Sequence, residues 1–228
     1  MAGTVYFALT MSLDGFVAPD SHAAGVRAMD SFKVPEKYQD DAEVQHWRSQ
    51  WGELHQGTFP LRFFRENLKL GEGGDEGRDN DRARETFERT GASVMGRRMF
   101  DLGELSWPEE APFHTPVFVV THTEREPWER PGGTTFHFVT TGIESALDQA
   151  RKAAGDRDVR IAGGGTTVLQ YLNAGLVDEF SITLSPVLFG AGIRLFEGVD
   201  ASRIALEPIR SEPSPHGPTH LTYAVHAR

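Results

Sequence analysis

From residue 92 onward, short apolar runs alternate with segments of helical periodicity, and this alternation constrains the fold more than any other feature. The apolar runs lie at 92–95, 116–121, 135–139, 159–162 and 178–185, and the helical segments lie at 142–154 and 166–173. Strands separated by helices favour a mostly parallel sheet with helices on both of its faces. We therefore predict an α/β fold around a central mixed sheet.

The two ends of the chain extend this sheet. Residues 4–11 have the pattern of a buried strand that ends at the turn signal Leu13-Asp14-Gly15-Phe16. Residues 205–210 and 220–227 predict antiparallel strands, which would close the sheet with a C-terminal hairpin. The polar residues 20–33 predict a mobile loop.

Between about 35 and 90 the sequence changes character. Pro35 suits a first helical turn, a helical spacing of apolar residues follows, and 61–68 predicts a second short helix. Residues 71–80 form an acidic, glycine-rich tract that we expect to be flexible, and 81–90 predicts a helix with Gly91 as its C-cap. We expect one domain, 1–228, with a helical and flexible insertion at about 35–90 that could cover a site.

Three consecutive glycines, Gly163, Gly164 and Gly165, follow the strand at 159–162, and Thr166 and Thr167 stand at the start of the next helix. Backbone without side chains can approach a ligand closely, and the first N–H groups of a helix favour an anion. The run is neither the dinucleotide fingerprint, whose third glycine is replaced by Val168, nor a Walker loop. It predicts either a phosphate site or a tight turn in which Thr166 or Thr167 is only an N-cap.

Ligands of such sheets bind at the carboxyl ends of the strands. Four loops fall there: 12–16, 96–99, 121–123 and 163–167. Arg97 and Arg98 could pair with phosphate oxygens, including an extra phosphate on a ribose, or with the nearby Asp101 and Glu104.

Asp14 is the carboxylate of greatest interest. It follows a buried strand, and desolvation in a crevice would raise its pKa towards useful proton transfer. The alternative is structural, because Asp-Gly is a common turn dipeptide and aspartate often caps its own turn.

Composition excludes several classes of function. The formal net charge of −10 argues against electrostatic capture of nucleic acid or of an anionic membrane. The absence of cysteine excludes disulfides, thiolate metal sites and cysteine nucleophiles. The histidines form no metal pattern, since Pro218 separates His216 from His220. With no signal-peptide pattern and no apolar run of membrane length, we expect a cytoplasmic protein without a metal.

Together these segments resemble the dihydrofolate reductase-like superfamily, and within it the reductase (RibD C-terminal) domain of the bifunctional riboflavin-biosynthesis deaminase/reductase. The resemblance covers most of the chain outside 35–89. It rests on TMSLDGF at 10–16, VMGRRMFD at 94–101, PVFVVTH at 116–122, AGGGTT at 162–167, AGLVDE at 174–179 and PVLFG at 186–190.

The resemblance implies a three-layer sandwich with NADPH lying across the carboxyl edge of the sheet. It assigns Gly96, Arg97, Arg98 and Met99 to the adenosine-side phosphates, and residues 163–167 to the pyrophosphate. It places Thr121 and His122 near the ribose that carries the 2′-phosphate. The segment 12–15 would border the nicotinamide and the substrate, which makes Ser12 and Asp14 the candidates for substrate contact or proton supply.

The departures from the family concern the substrate. The segment 102–108 lacks the longer arginine- and aspartate-bearing stretch of riboflavin-pathway reductases, and the insertion rewrites the helix that reads folate. We therefore expect an NADPH-dependent reductase that transfers a hydride to a small heterocyclic (pterin- or pyrimidine-like) or carbonyl substrate. The alternatives are a 5-amino-6-(5-phosphoribosylamino)uracil reductase of the riboflavin pathway and a non-catalytic NADPH-binding protein. By analogy with relatives, we expect a homodimer.

Overall fold

Eleven strands and six α-helices form the part of the chain that the computed structural model describes, which is residues 3–20, 36–104, 107–215 and 217–228. The strands are β1 (Val5–Ser12), β2 (Phe16–Pro19), β3 (Thr90–Gly96), β4 (Val117–Val120), β5 (Trp128–Glu129), β6 (Thr135–Val139), β7 (Asp158–Gly163), β8 (Glu179–Ser185), β9 (Gly192–Arg194), β10 (Ile204–Pro213) and β11 (Thr219–Ala227). The helices are α1 (Ala42–Leu54), α2 (Arg62–Asn67), α3 (Arg78–Glu88), α4 (Arg97–Glu104), α5 (Ile143–Ala154) and α6 (Gly165–Asn173). Two 3-10 turns lie at Glu36–Tyr38 and Pro131–Gly133.

Nine strands form one mixed sheet in the order β10-β11-β8-β1-β7-β3-β4-β6-β5. The six strands from β8 to β6 run parallel, while β11, β10 and β5 pair antiparallel with their neighbours. This confirms the predicted mixed, mostly parallel sheet and its C-terminal hairpin. The short strands β2 and β9 form a separate antiparallel pair that the sequence did not predict.

Strand β7 lies between β1 and β3, although it follows both along the chain. Arg160 of β7 stands level with Tyr6 on one side and with Ser93 on the other. The carboxyl ends of β3 and β7 are therefore neighbours, which brings the loops at 96–99 and 163–167 to the same edge of the sheet.

Side chains alternate between the two faces of the sheet, and the two faces differ in chemistry. One face is apolar: Phe7 stacks on Phe180 with ring centroids 4.9 Å apart, and α5 and α6 cover it through residues such as Leu147 and Tyr171. Each large apolar side chain buried there contributes about 1.5–3 kcal/mol relative to an exposed one. The opposite face lies under α1 and α3. There Tyr6 donates a hydrogen bond to the carbonyl of Thr86.

The segment at 35–90 is more ordered than its composition predicts. The expected helix at 81–90 begins earlier, at Arg78, and ends at Glu88, and two residues of the tract expected to be flexible, Asp79 and Asn80, are buried. Asn80 accepts a hydrogen bond from the backbone N–H of Phe63, which ties α3 to α2. Pro35 and most of 20–33 lie outside the described residues.

Gly91 is not the predicted C-cap, because it lies within β3. A Cβ atom at this position would stand 2.7 Å from Cβ of Arg157 and 2.8 Å from Cβ of Ala154. The glycine is thus required by the close approach of β3 to the end of α5. Within the described ranges, none of the helices combines the length and the apolar composition that a membrane crossing needs.

Candidate active site

A cavity of about 600 Å³ begins at the carboxyl ends of β3 and β7 and continues beneath α1 and α3. Its outer end is lined by residues 96–99 and 163–167. Two of the four loops predicted to bind a ligand therefore meet at one cavity. The loops at 12–16 and 121–123 are not among the described residues that line it.

The three-glycine loop leaves the start of α6 open towards this cavity. The helix begins at Gly165, and its N-cap, Gly164, has no side-chain hydrogen bond. Thr166 and Thr167 therefore do not cap the helix, which removes the alternative of a threonine-capped turn. A Cβ atom at Gly164 would meet nothing within 4 Å, so this part of the backbone borders open space. The peptide bond between Gly163 and Gly164 is cis.

The two loops pack directly against each other. A Cβ atom at Gly96 would stand only 2.2 Å from Oγ1 of Thr167, and one at Gly163 would stand 3.0 Å from Sδ of Met99. Glycine is therefore needed at position 96 for the two strand ends to approach as they do. The N-terminal ends of α4 and α6 both border the cavity as a result, and both carry a partial positive charge there.

Arg97 and Arg98 both line the cavity. Arg97 Nε donates to Oδ1 of Asp101 over 2.6 Å, and its Nη1 lies 3.5 Å from Oγ1 of Thr121. Arg97 thus pairs with Asp101, as the alternative to phosphate binding predicted, whereas Glu104 pairs with Arg125. The Arg97–Asp101 pair is half-exposed, and such pairs contribute little to stability. Arg97 can therefore exchange this carboxylate for a ligand oxyanion at small cost.

Thr121 and His122 lie just outside the cavity. Thr121 is buried, and its Oγ1 accepts a hydrogen bond from the N–H of Thr123 over 3.1 Å, which holds the turn after β4. His122 is exposed. Thr121 is connected to the cavity lining through its neighbour Arg97.

The expectation that burial raises the pKa of Asp14 is wrong. Burial alone raises the pKa, but hydrogen bonds from Oγ of Ser12 and from the backbone N–H groups of Gly190 and Phe189 outweigh it, so the pKa lies below its ordinary value. The donors stand 2.6 Å (Ser12) and 2.7 Å (Gly190) from the carboxylate. Ser12 is fully buried and also accepts from the N–H of Phe16. The pair therefore fastens the turn after β1 to the segment after β8, the structural role left open above.

The inner end of the cavity contains functional groups that the sequence analysis missed. Its floor is the polar part of the sheet face beneath α1 and α3. The residues there are Thr10, Arg160, Ser181, Thr183 and His220. Polar residues at alternating positions of otherwise apolar strands, such as Ser181 and Thr183, were the signal that could have revealed this end.

Four aromatic rings in series line the opposite wall. Trp47 stacks on Trp51 with centroids 5.6 Å apart, Trp51 contacts His55 at 4.3 Å, and His55 contacts Phe59 at 5.2 Å. Burial lowers the pKa of His55, so its ring is neutral at pH 7. The two tryptophans give the cavity flat apolar surfaces, which suit a planar ligand.

A histidine–aspartate pair joins the floor to the covering helix. Nε2 of His220 lies 3.0 Å from Oδ1 of Asp79, and Nδ1 lies 3.1 Å from Oγ1 of Thr183. The second oxygen of Asp79 accepts from Ser214. Burial and the nearby Arg82 lower the pKa of His220 and outweigh the opposite effect of Asp79 and Glu212, so its folded-state pKa lies below 6.5.

Comparison with protein families and curated proteins gives two matches. The family model described as the RibD C-terminal domain matches residues 3–217. The uncharacterized protein YyaP of Bacillus subtilis (strain 168) is 30% identical over 86 residues, which are 38% of this chain and 45% of that protein. The match thus spans less than half of the length of this curated relative.

Three solved structures share the fold. A putative riboflavin biosynthesis protein from Shewanella sp. PV-4 is 26% identical with a TM-score of 0.57, and the alignment covers 99% of both chains. Dihydrofolate reductase from Enterococcus faecalis, complexed with NADP(H), is 15% identical with a TM-score of 0.52, covering 100% of this chain and 98% of that one. A deaminase/reductase from Thermotoga maritima is 14% identical with a TM-score of 0.50, covering 98% of this chain and 56% of that one.

Proposed function

The chain belongs to the RibD C-terminal domain family, and on that premise we propose that it is an NADPH-dependent reductase of a small planar substrate. The observation that carries the proposal is the meeting of the 96–99 and 163–167 loops at one end of a cavity whose other end is polar. A cofactor and a substrate would occupy the two ends of this cavity.

The residues at the outer end fit a phosphate-bearing cofactor. The start of α6 has no side-chain cap, and the backbone at Gly164 borders open space. Gly165 is close-packed on the other side, where a Cβ atom would stand 3.0 Å from Cγ2 of Val17. A pyrophosphate would therefore meet free backbone N–H groups, which is the arrangement that helix N-termini offer to phosphates. Arg97 and Arg98 would hold a further phosphate, as the preference for NADPH over NADH requires.

When bound, NADPH supplies the hydride, and the protein has to orient the substrate and deliver a proton. We assign the proton to the His220–Asp79 pair acting through Thr183. Protonated His220 donates from Nδ1 to Thr183 Oγ1, and the threonine hydroxyl passes its own proton to the substrate heteroatom. Asp79 stabilises the charged imidazole at Nε2. The C=N or C=O bond of the substrate would then gain one hydrogen as hydride from bound NADPH and one as a proton from His220 through Thr183.

We favour a reductase over a protein that only binds NADPH, because the polar floor and the aromatic wall would form a substrate site beside the cofactor end. The 5-amino-6-(5-phosphoribosylamino)uracil substrate of the riboflavin pathway stays an alternative, because the similar Shewanella protein is described as a putative riboflavin biosynthesis protein. The short segment at 102–108 argues against it.

Thermal unfolding with each nicotinamide cofactor tests the proposal. NADPH at about 100 times its dissociation constant should stabilise the chain by about 2.7 kcal/mol, and NADH at the same concentration by less. Arg97→Ala and Arg98→Ala should narrow the difference between the two cofactors, whereas Arg48→Ala, an exposed arginine of α1, should leave it unchanged. The absence of any shift with NADPH would reject the cofactor assignment.

A further inference from the structure

Arg160 stands out among the charged residues of the cavity because, within the described part of the chain, it has no hydrogen-bond or ion-pair partner. The residue is on β7, on the sheet face beneath α3, and lines the inner end of the cavity. Its guanidinium forms no hydrogen bond or ion pair with any described residue, and its buried Nε has no acceptor. Its guanidinium carbon lies 4.7 Å from the ring centroid of Phe87.

Such a group is unusual in a protein interior. Burial lowers the pKa of Arg160, yet a guanidinium stays protonated in proteins, so the charge is present. Buried charges are almost always paired or hydrogen-bonded. An arginine that faces a cavity with its donors unused is therefore arranged to receive an acceptor from outside the chain.

The charges around the cavity point to the sign of that acceptor. Among the residues that the structure describes, four arginines line it against one carboxylate, Asp79, although the whole chain has a net charge of −10. Asp79 is already engaged by His220 and Ser214, and Arg82 is engaged by Glu212. The inner end thus has an uncompensated positive charge at Arg160.

We propose that Arg160 binds an oxyanion of the substrate, a carboxylate or a phosphate, so that this reductase acts on an acidic small molecule. The inference rests on the proposed function, because it assigns the inner end of the cavity to the substrate. The planar part of the molecule would lie between the polar floor and the aromatic wall, with its acidic group directed towards Phe87. Arg160 can offer two parallel N–H groups to such an oxyanion.

Binding of matched pairs of compounds to the full chain, by isothermal titration calorimetry with and without NADPH, tests this inference. Each pair shares a ring and differs in one acidic group: uracil-6-carboxylate against 6-methyluracil, pterin-6-carboxylate against 6-hydroxymethylpterin, and uridine 5′-monophosphate against uridine. We expect the wild-type chain to bind the acidic member of at least one pair about tenfold or more tightly than its neutral twin. The first two pairs report a carboxylate and the third a phosphate.

Substitution of Arg160 tests whether this residue causes the preference for acidic compounds. Arg160→Met should weaken the binding of the acidic compound by about 30-fold or more, because its charge partner is lost. The affinity for the neutral compound should not change. Arg160→Lys keeps a positive charge and should keep part of the preference for acidic compounds. This second variant distinguishes loss of the charge from a folding defect caused by the methionine. Equal affinity within every pair, or no binding of any probe at millimolar concentration, would overturn the inference. So would a preference that survives in Arg160→Met.

The two proposals can fail separately. A thermal shift with NADPH but no preference for acidic members would reject the role of Arg160 and leave the reductase proposal standing. A preference for acidic members without any NADPH effect would reject the reductase and keep an anion site at Arg160.

Discussion

Replacing Arg160 by methionine should make the ligand-free protein more stable. A charge without a partner in a protein interior costs several kcal/mol, and replacing buried charges by apolar residues of similar volume is often stabilising. Because Arg160 keeps partial exposure to the cavity, water reduces the penalty, and we take about 2–3 kcal/mol. The substitution also removes the contact with Phe87 at 4.7 Å, which is worth about 0.5–1 kcal/mol.

The net gain is therefore about 1–2.5 kcal/mol in the free energy of unfolding. For a chain of 228 residues this raises Tm by about 2–10 °C, since 1 kcal/mol corresponds to about 2–4 °C at this size. The assay is thermal unfolding followed by circular dichroism in a phosphate-free buffer, because an added anion would pair with the wild-type arginine. Arg48→Met is the matched control, and we expect it to change the stability by no more than about 0.5 kcal/mol.

A fall in Tm of Arg160→Met would refute the reasoning. It would mean that the guanidinium stabilises the fold through its contact with Phe87, and that the absence of other partners has no functional meaning. A gain in stability together with lost affinity for acidic ligands is the combination expected of a residue kept for binding at the expense of stability.

Three further predictions concern other parts of the site. Gly96→Ala should lose about 1–3 kcal/mol of stability and most NADPH affinity, because its Cβ would overlap Thr167. Adding Thr167→Ala to this variant should restore part of the stability and part of the affinity, which a cofactor titration measures. A Gly96→Ala variant that binds NADPH like the wild type would contradict the close packing of Gly96 on Thr167. Asp14→Asn should lower the free energy of unfolding in urea by about 1 kcal/mol at pH 7. Because the folded-state pKa of Asp14 lies below 3.8, the difference between the two proteins should vanish as the pH falls through that pKa. A difference that persists in acid would reject the stabilising role of the ionised carboxylate. Turnover should rise as the pH falls through the lowered folded-state pKa of His220, because the imidazole becomes protonated there, and His220→Gln should flatten the pH profile. A wild-type profile without this rise would exclude His220 as the proton source.

The sequence predicted the central sheet well because each of its inner strands is a short apolar run bounded by turn residues. The ligand loops at 96–99 and 163–167 could be found for a related reason, since glycines at strand ends mark close approaches of backbone. The strands β2 and β9 were missed because segments of four and three residues carry no readable period.

The inner end of the cavity could not be predicted, because it depends on contacts distant in the chain. His220 meets Asp79 across 141 positions, and the carboxylate of Asp14 meets Phe189 across 175. The sign of the pKa shift at Asp14 depends on those distant donors, so local sequence pointed the wrong way. The homodimer, the cytoplasmic location and the single-domain organisation stay predictions.

The position of β7 between β1 and β3 has a consequence for how the molecule assembles. During synthesis β1, β3, β4 and β6 are made before β7, the strand that lies between β1 and β3. These two strands therefore cannot be joined in one sheet until residues 158–163 are made. Pairings between strands so far apart in sequence form slowly. The same strand carries Arg160 and leads into the three-glycine loop, so neither end of the cavity can form before β7 is made. The floor of the inner end also needs Thr183 of β8 and His220 of β11, which follow later in the chain. We therefore expect that a chain ending before β11 lacks the complete cavity.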